Sequence, residues 1–287
     1  MIDAEAVRYD RQIRLWGKAT QQQIMHTSVA LHGIAGAAAE VTKNLVLAGV
    51  RAVAVADEGH VTDVDVCTNY LMQGEGGGTR GARALSALQR LNPYVTVYDA
   101  VTKLDGSSGP RVTMATVASV EDAVPHAHAA VPGADIVALH VTCGPTVLAL
   151  FLYRRLPARS LAEQWRCLVA EPSLLAEKPR GYQRVVLALH VRTDAVSLGF
   201  AAAAAKAYEV VERLHLQQLT AADVQEVLQS CAHDAGSGDC VSDTIAGACI
   251  AQHLIRQISA LDQPPDAQSY HWMLCECGAE VECLVGL

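Results

Sequence analysis

The chain has 287 residues, 51% hydrophobic and 18% charged, a composition that predicts a globular protein and excludes a disordered one. Its formal net charge of −8 argues against a general nucleic-acid-binding protein, which usually carries a basic surplus. The charged start lacks the apolar segment of a secretory leader, no apolar run approaches the roughly 20 residues of a membrane span, and nine scattered cysteines are typical of a reducing compartment.

The first predicted element is a helix built on RYDRQIRLWG, residues 8–17. Tyr9, Ile13 and Trp16 recur at helical spacing, which predicts one buried stripe. A different face carries a row of arginines at intervals of three: Arg8, Arg11 and Arg14. In an acidic chain this local row indicates either a specific anionic target or a solvated helix face.

A strand–turn–helix–strand unit follows. Val29–Leu31 is predicted as a buried strand, residues 33–36 as a tight turn, residues 37–47 as a helix, and RAVAVADEG as a strand ending on Asp57. This arrangement is typical of a mononucleotide-binding half: the helix N-terminus would face a phosphate, and Asp57 would bind the ribose hydroxyls. The sequence therefore places a candidate nucleotide site at this end of the sheet.

The turn departs from the fingerprint G-x-G-x-x-G. Gly33 and Gly36 are present, but Ala35 and Ala38 stand at two of the glycine positions. Each added Cβ would lie where a phosphate or a closely packed backbone belongs. Two interpretations stay open here, namely a working nucleotide site and a Rossmann-type turn kept for packing.

Later elements continue the alternation of strands and helices. We predict a glycine-rich loop over residues 74–81, a helix over 82–91 that ends near Leu91, and a strand over 95–101. A second loop over residues 106–111, a fourth strand over 134–141 and a helix over 145–156 follow. Such alternation favours a mostly parallel sheet with helices on both faces.

The second half has a different pattern. Residues 182–196 form long strand-like runs, and residues 200–216 and 220–230 are predicted helices, the latter opened by a Thr220–Asp223 capping box. Cys240–Leu261 is a helix rich in small residues, and two final strands are predicted over residues 269–276 and 279–285. No segment reads as a linker, so we expect a single domain over residues 1–287.

Several segments together carry a family resemblance: RYDRQIRLWG, KNLVLAGV, VADEGHVT, RLNP and IAGACIAQHLIRQISALDQPP with VECLVG. The chain is similar to the E1-type activating enzymes (ThiF/MoeB-like), and most to the non-thioester subunit type of the SUMO-activating heterodimer. This resemblance runs from about Tyr9 to Leu287 and is interrupted in the middle. It implies an α/β adenylation-domain fold with C-terminal antiparallel strands, and residence in the nucleus or cytoplasm.

The resemblance also implies that this chain's own nucleotide pocket is inactive. Family members that adenylate a modifier carry an arginine, a lysine and an aspartate where this sequence has Thr68, Arg80 and Thr142. Losing charge at the phosphate and Mg²⁺ positions removes what pyrophosphate departure needs. We expect a vestigial pocket that binds no cofactor firmly, formed by Gly33, Gly36, Asp57 and Arg80.

The resemblance gives the arginine row a role. In this family the first helix reaches across an interface and delivers an arginine, here Arg11, to ATP in the catalytic, thioester-forming subunit. A planar guanidinium suits phosphate oxygens. The implied cofactors, ATP and Mg²⁺, belong to that partner's site, and the implied substrate is a ubiquitin-like modifier such as SUMO. We further expect the first helix and Cys240–Leu261 to lie at the partner interface.

Alternatives remain. Within the family they are the regulatory subunit of the NEDD8 E1 and a free-standing E1-like protein; outside it, a scaffold without a trans-acting residue and a Rossmann NAD-dependent oxidoreductase. The oxidoreductase would need the full glycine fingerprint and a second domain, which the sequence lacks. No metal site is predicted, because Cys275, Cys277 and Cys283 have no second CxxC pair and are expected in the core or at a strand edge.

Overall fold

The structure is a computed structural model that describes residues 4–73, 78–104, 109–116, 135–143, 147–154, 170–233, 240–260, 270–276 and 282–285. Within these ranges, the strands form one sheet in the order β3-β2-β1-β4-β5-β6-β7-β8. The strands are β1 Ser28–His32, β2 Ala52–Ala56, β3 Thr96–Tyr98, β4 Arg111–Thr116, β5 Ile136–Cys143, β6 Val147–Arg154, β7 Tyr270–Glu276 and β8 Glu282–Val285. Strands β1 to β5 pair in parallel and β5 to β8 antiparallel, which confirms the predicted Rossmann-like α/β fold with antiparallel C-terminal strands.

Helices cover both faces of this sheet. They are α1 Ala4–Trp16, α2 Lys18–His26, α3 Ala37–Ala48, α4 Asp63–Thr68, α5 Arg80–Leu91, α6 Pro172–Leu175, α7 Arg180–Ser197, α8 Phe200–Arg213, α9 Ala221–His233 and α10 Cys240–Ser259. In the part of the chain that the structure describes, no helix combines the length and apolarity needed to cross a membrane.

The alternation of side chains along the strands divides the core in two. On β5, Ile136 and Ala138 join the cluster formed with α3, α5 and α10, whereas Val137 joins the cluster formed with α7, α8 and α9. Successive strand residues point to opposite faces, so β4 and β5 contribute to both clusters, whereas the second face of β1 and β2 packs in a smaller cluster with Leu104. The candidate nucleotide site therefore lies at the end of a sheet that is covered on both faces.

Three predictions of strand or helix are wrong. The strand β4 was not predicted, so residues 134–141 contain the fifth strand rather than the fourth. Residues 147–154 were expected to be helical but form β6. Residues 182–196 were expected to form strands but lie inside α7. Continuous apolar runs fit a buried strand and a buried helix equally well, and only the neighbouring elements decide between them. The predicted loop over residues 74–81 also extends too far, because α5 begins at Arg80.

The predicted capping box at the start of α9 is confirmed. The Asp223 carboxylate accepts hydrogen bonds from the backbone N–H and hydroxyl of Thr220, and the Thr220 hydroxyl accepts one from the Asp223 N–H. Arg180 and Arg184 of α7 also bind the fully buried Asp223. Burial alone would raise the pKa of Asp223, but the bonds from Arg180, Thr220 and Arg184 outweigh it and hold the pKa well below its usual value. Asp223 thus fastens α9 to α7.

Candidate functional site

The candidate cleft begins at the turn between β1 and α3. Gly33 and Gly36 both have positive φ, +88° and +54°, which side-chain-bearing residues rarely adopt. The Gly33 N–H donates to the Ala56 carbonyl at 3.0 Å, and the next N–H, of Ile34, donates to Asp57 Oδ2 at 2.9 Å. The glycine turn is therefore tied to the end of β2, as the mononucleotide-binding pattern predicts.

Asp57 lies in the cleft with its side chain only 5% exposed, and it does not face an open pocket. Its Oδ1 accepts from the Gly59 N–H at 2.9 Å and from Arg80 Nη2 at 3.2 Å. Its Oδ2 accepts from Ile34 and from Arg80 Nε at 3.0 Å. Both oxygens are thus engaged by groups of this chain.

Arg80 is the first residue of α5, whose N-cap is Thr79. Besides Asp57, its guanidinium donates to the His60 carbonyl and lies 3.6 Å from Asp65 Oδ2. Burial alone would lower the pKa of Arg80, but the bonds and charge of Asp57 and the charge of Asp65 outweigh it and raise the pKa. The arginine that replaces the family's lysine remains charged and binds the acid expected to hold ribose.

The hydroxyl of Thr68, the position of the family's arginine, is engaged within its own helix. Thr68 is the last residue of α4, and its hydroxyl donates to the Val64 carbonyl of the same helix at 2.9 Å. Thr142 lies in β5, opposite Leu148 of β6, and its side chain is outside the described residues.

A residue that the sequence analysis did not single out completes the cleft. Asp243, in the first turn of α10, places its carboxylate against Gly36, so that an added Cβ at Gly36 would lie 3.0 Å from Oδ1 and 3.2 Å from Oδ2. No motif marks Asp243, because it is distant from the turn in sequence. Only the packing of α10 on α3 brings the two together.

Together these contacts decide whether ATP fits this cleft. Its ribose-binding acid is saturated by Arg80 and backbone N–H groups, and a carboxylate lies beside the turn that would approach phosphate. The residues present therefore do not fit a nucleotide. Among the described residues, no group of His, Cys, Asp and Glu could hold a metal ion. The side chains of Cys275, Cys277 and Cys283 are outside the described residues.

The arm formed by α1 is anchored through Tyr9, which is 2% exposed. Asn92 Nδ2 donates to Tyr9 Oη and to the Val46 carbonyl, both at 2.8 Å. The Tyr9 ring lies on Gly49, where an added Cβ would come within 2.5 Å of Cζ. The motifs RYDRQIRLWG, KNLVLAGV and RLNP therefore meet at one point in the structure.

Two glutamines complete the attachment of the arm and cap α3. Gln12 Nε2 donates to the Leu47 carbonyl at 3.1 Å, and Gln21 Nε2 donates to the Ala48 carbonyl at 2.9 Å. Trp16 Nε1 in turn donates to Gln21 Oε1 at 3.0 Å. These bonds satisfy carbonyls at the helix C-terminus that lack intrahelical partners, so α1 and α2 are both fastened to the end of α3.

The three arginines of the arm differ in their partners. Arg8 Nη2 donates to the Leu91 carbonyl at 2.7 Å, and Arg14 pairs with Asp10 at 2.9 Å. Arg11 is exposed and forms no hydrogen bond or ion pair with the residues that the structure describes. The predicted finger residue is thus the arginine of the row that this chain leaves available.

A groove of about 240 Å³ runs beside the arm, between α1, α3 and α10. Its lining includes Trp16, Leu47, Ala248 and Ala251. Gly247 instead faces α3, where an added Cβ would lie 2.3 Å from the Glu40 Cβ. The small residues of α10 therefore serve helix packing within this chain as well as the groove.

Comparison with known proteins confirms the predicted resemblance. The ThiF family model matches residues 9–141. Over 96 residues the chain is 42% identical to SUMO-activating enzyme subunit 1 of Homo sapiens, a match covering 33% of this chain and 28% of that protein. The subunit 1 of Danio rerio matches with the same identity and shares. The matched segment is thus less than a third of the length of these relatives.

Solved structures extend the likeness to the whole fold. E. coli MccB with MccA-N7isoASN superposes with a TM-score of 0.58 at 10% identity, covering 99% of this chain and 73% of that chain. PaaA superposes with a TM-score of 0.59 at 12% identity, covering 100% and 76%. At such low identity these likenesses establish the α/β fold alone.

Proposed function

We propose that this chain, in which residues 9–141 form a ThiF-family domain, is the non-thioester subunit of a heterodimeric E1 enzyme that activates a ubiquitin-like modifier, SUMO. The partner is the catalytic subunit, which holds ATP and Mg²⁺, and the complex works in the nucleus or cytoplasm. The similarity to SUMO-activating enzyme subunit 1 supports the choice of modifier.

One observation carries this proposal: the chain closes its own nucleotide cleft but leaves an arginine available on an anchored arm. Asp57 is engaged by Arg80, so this cleft offers no ribose-binding acid. Arg11 is exposed on α1, whose opposite side is fixed by Tyr9. This combination is expected of a subunit that binds no ATP itself and serves only a neighbour's ATP site.

In the proposed complex, Arg11 contacts the phosphates bound by the partner. A guanidinium presents several donors in a plane and stabilises the negative charge that develops when the α-phosphate is attacked and pyrophosphate leaves. Anchoring of α1 by Tyr9 lowers the cost of ordering the arginine in the complex. Arg8 and Arg14 are engaged within the chain and have supporting roles.

The test is modifier-dependent ATP–pyrophosphate exchange by the full chain reconstituted with the catalytic subunit of a SUMO E1. Arg11→Ala should slow exchange on the order of 10²-fold while the heterodimer still forms, because the arginine acts on developing phosphate charge. Arg11→Lys should recover part of the rate, since an ammonium lacks the planar bidentate geometry.

Arg8→Ala and Arg14→Ala are the matched controls, since they remove the same charge from the same helix. Both should retain exchange within a few fold of wild type. Wild-type exchange by Arg11→Ala would contradict the finger, and an essential Arg8 or Arg14 would move the role within the row. Assembly with a NEDD8 catalytic subunit in place of the SUMO one would overturn the modifier assignment.

A further inference from the structure

We infer that the nucleotide cleft of this chain is self-liganded: Arg80 holds the position of the ribose hydroxyls, and Asp243 holds the position of the phosphate. These two side chains exclude nucleotide and join α5 and α10 to the glycine turn. The inference rests on the geometry of the cleft and requires neither a partner subunit nor Arg11.

The Asp57 carboxylate has no room for a further hydrogen-bond donor. An ionised carboxylate accepts about four hydrogen bonds through its two oxygens. Asp57 receives four, two from the backbone N–H groups of Ile34 and Gly59 and two from Arg80. No acceptor capacity is left for ribose hydroxyls, so a nucleotide would have to displace a bidentate arginine.

A carboxylate occupies the start of α3, where a phosphate would bind. In a mononucleotide-binding unit, phosphate lies at this helix N-terminus because the positive end of the helix dipole attracts an anion. Here the Asp243 carboxylate lies against Gly36, the N-cap residue of α3. The carboxylate supplies the negative charge that a phosphate would bring, and it repels a second anion at the same place.

Helix packing keeps Asp243 there. Gly247, one turn further along α10, lies so close to α3 that an added Cβ would be 2.9 Å from the Ala37 carbonyl. Further along, Ala251 of α10 and Ala48 of α3 line one groove, so the two helices run side by side in the same direction. Asp243 cannot leave the turn as a loop residue could, because the backbone of α10 would have to move off α3.

The experiment measures thermal unfolding of the full-length chain with inorganic pyrophosphate and, separately, with ATP. The wild-type melting temperature should not change with either compound. In Asp243→Ala the anion position is vacated, and pyrophosphate at about ten times its Kd should raise the melting temperature by about 3 °C. Asp99→Ala, which removes one negative charge from an exposed pair with Lys103, is the control and should show no rise.

The double variant Arg80→Ala with Asp243→Ala frees both positions, so ATP should stabilise it more than pyrophosphate does. If Asp243→Ala does not fold by itself, pyrophosphate should restore its circular dichroism spectrum, because a ligand of the native state favours folding. Stabilisation of the wild-type chain by pyrophosphate, or no response of Asp243→Ala, would overturn the inference. Either result would remove the closed cleft from the support for the proposed function, whereas the exchange assay, which tests Arg11, decides that function separately.

Discussion

The cleft and the arm use arginine in opposite ways. In the cleft, Arg80 is 24% exposed and bound to an acid of its own chain, so its charge is consumed within the fold. On the arm, Arg11 is exposed and its helix is held from the opposite side by uncharged groups. The residue type is the same in both places, and the surroundings decide whether the charge is paired within the fold or left exposed.

This difference also separates two kinds of mutational effect. A substitution in the cleft should alter stability and leave the chemistry of a partner's site unchanged. A substitution at Arg11 should do the reverse. The predictions below test the cleft, the arm and a reference site away from both by the free energy of unfolding, measured in urea on the full chain.

The largest stability effect is expected for Asp57→Ala. The variant leaves Arg80 without its acid and leaves the N–H groups of Ile34 and Gly59 without their acceptor. Breaking a buried pair from one side costs about 3–5 kcal/mol, and partial exposure of Arg80 reduces this to about 3 kcal/mol. A loss below about 1 kcal/mol would show that the pair adds little to the fold and would weaken the contrast.

A smaller loss, about 2 kcal/mol, is expected for Asn92→Ala. This change removes the donor to Tyr9 Oη and to the buried Val46 carbonyl, and so loosens the attachment of the arm. Tyr9→Phe removes one of these bonds and should cost about 1 kcal/mol. In the heterodimer, Asn92→Ala should also slow exchange, and unchanged exchange would show that Arg11 does not depend on this anchor.

Asp223 provides a pH-dependent reference away from the cleft. Its pKa is lowered in the folded state, so its contribution to stability is complete above the unfolded pKa of about 4 and is lost as pH falls below it. Between about pH 5 and pH 3.5, the stability difference between wild type and Asp223→Asn should shrink by roughly 0.7 kcal/mol. A difference that stays constant over this range would contradict the lowered pKa.

The smallest effect is expected for Arg14→Ala. Its pair with Asp10 joins two side chains that are 78% and 51% exposed, and such pairs contribute little in water. The free energy of unfolding should change by no more than about 0.5 kcal/mol. A larger loss would mean that the arm depends on charge as well as on Tyr9 and Asn92.

Much of the site could be anticipated from local pattern. Spacing of Tyr9, Ile13 and Trp16 predicts α1, and the glycine turn followed by a helix and Asp57 predicts the end of the sheet at which the cleft lies. The capping box from Thr220 to Asp223 spans only four residues of sequence and was predicted correctly. The spacing on α1 and the capping box involve residues that are close in the chain. The glycine turn and Asp57 are 23 residues apart, but they belong to one recurring strand–turn–helix–strand unit that the sequence pattern identifies.

Other features depend on groups that the chain brings together from afar. Arg80 meets Asp57 from 23 residues away, and Asp243 reaches Gly36 only because α10 packs along α3. The strand β6 and the helix α7 were misassigned because an apolar run is compatible with either structure until the sheet and its covering helices surround it. The spacing of apolar side chains and the capping residues of a helix are local properties of the sequence. The partner of a buried charge, and whether an apolar segment forms a strand or a helix, follow from tertiary packing.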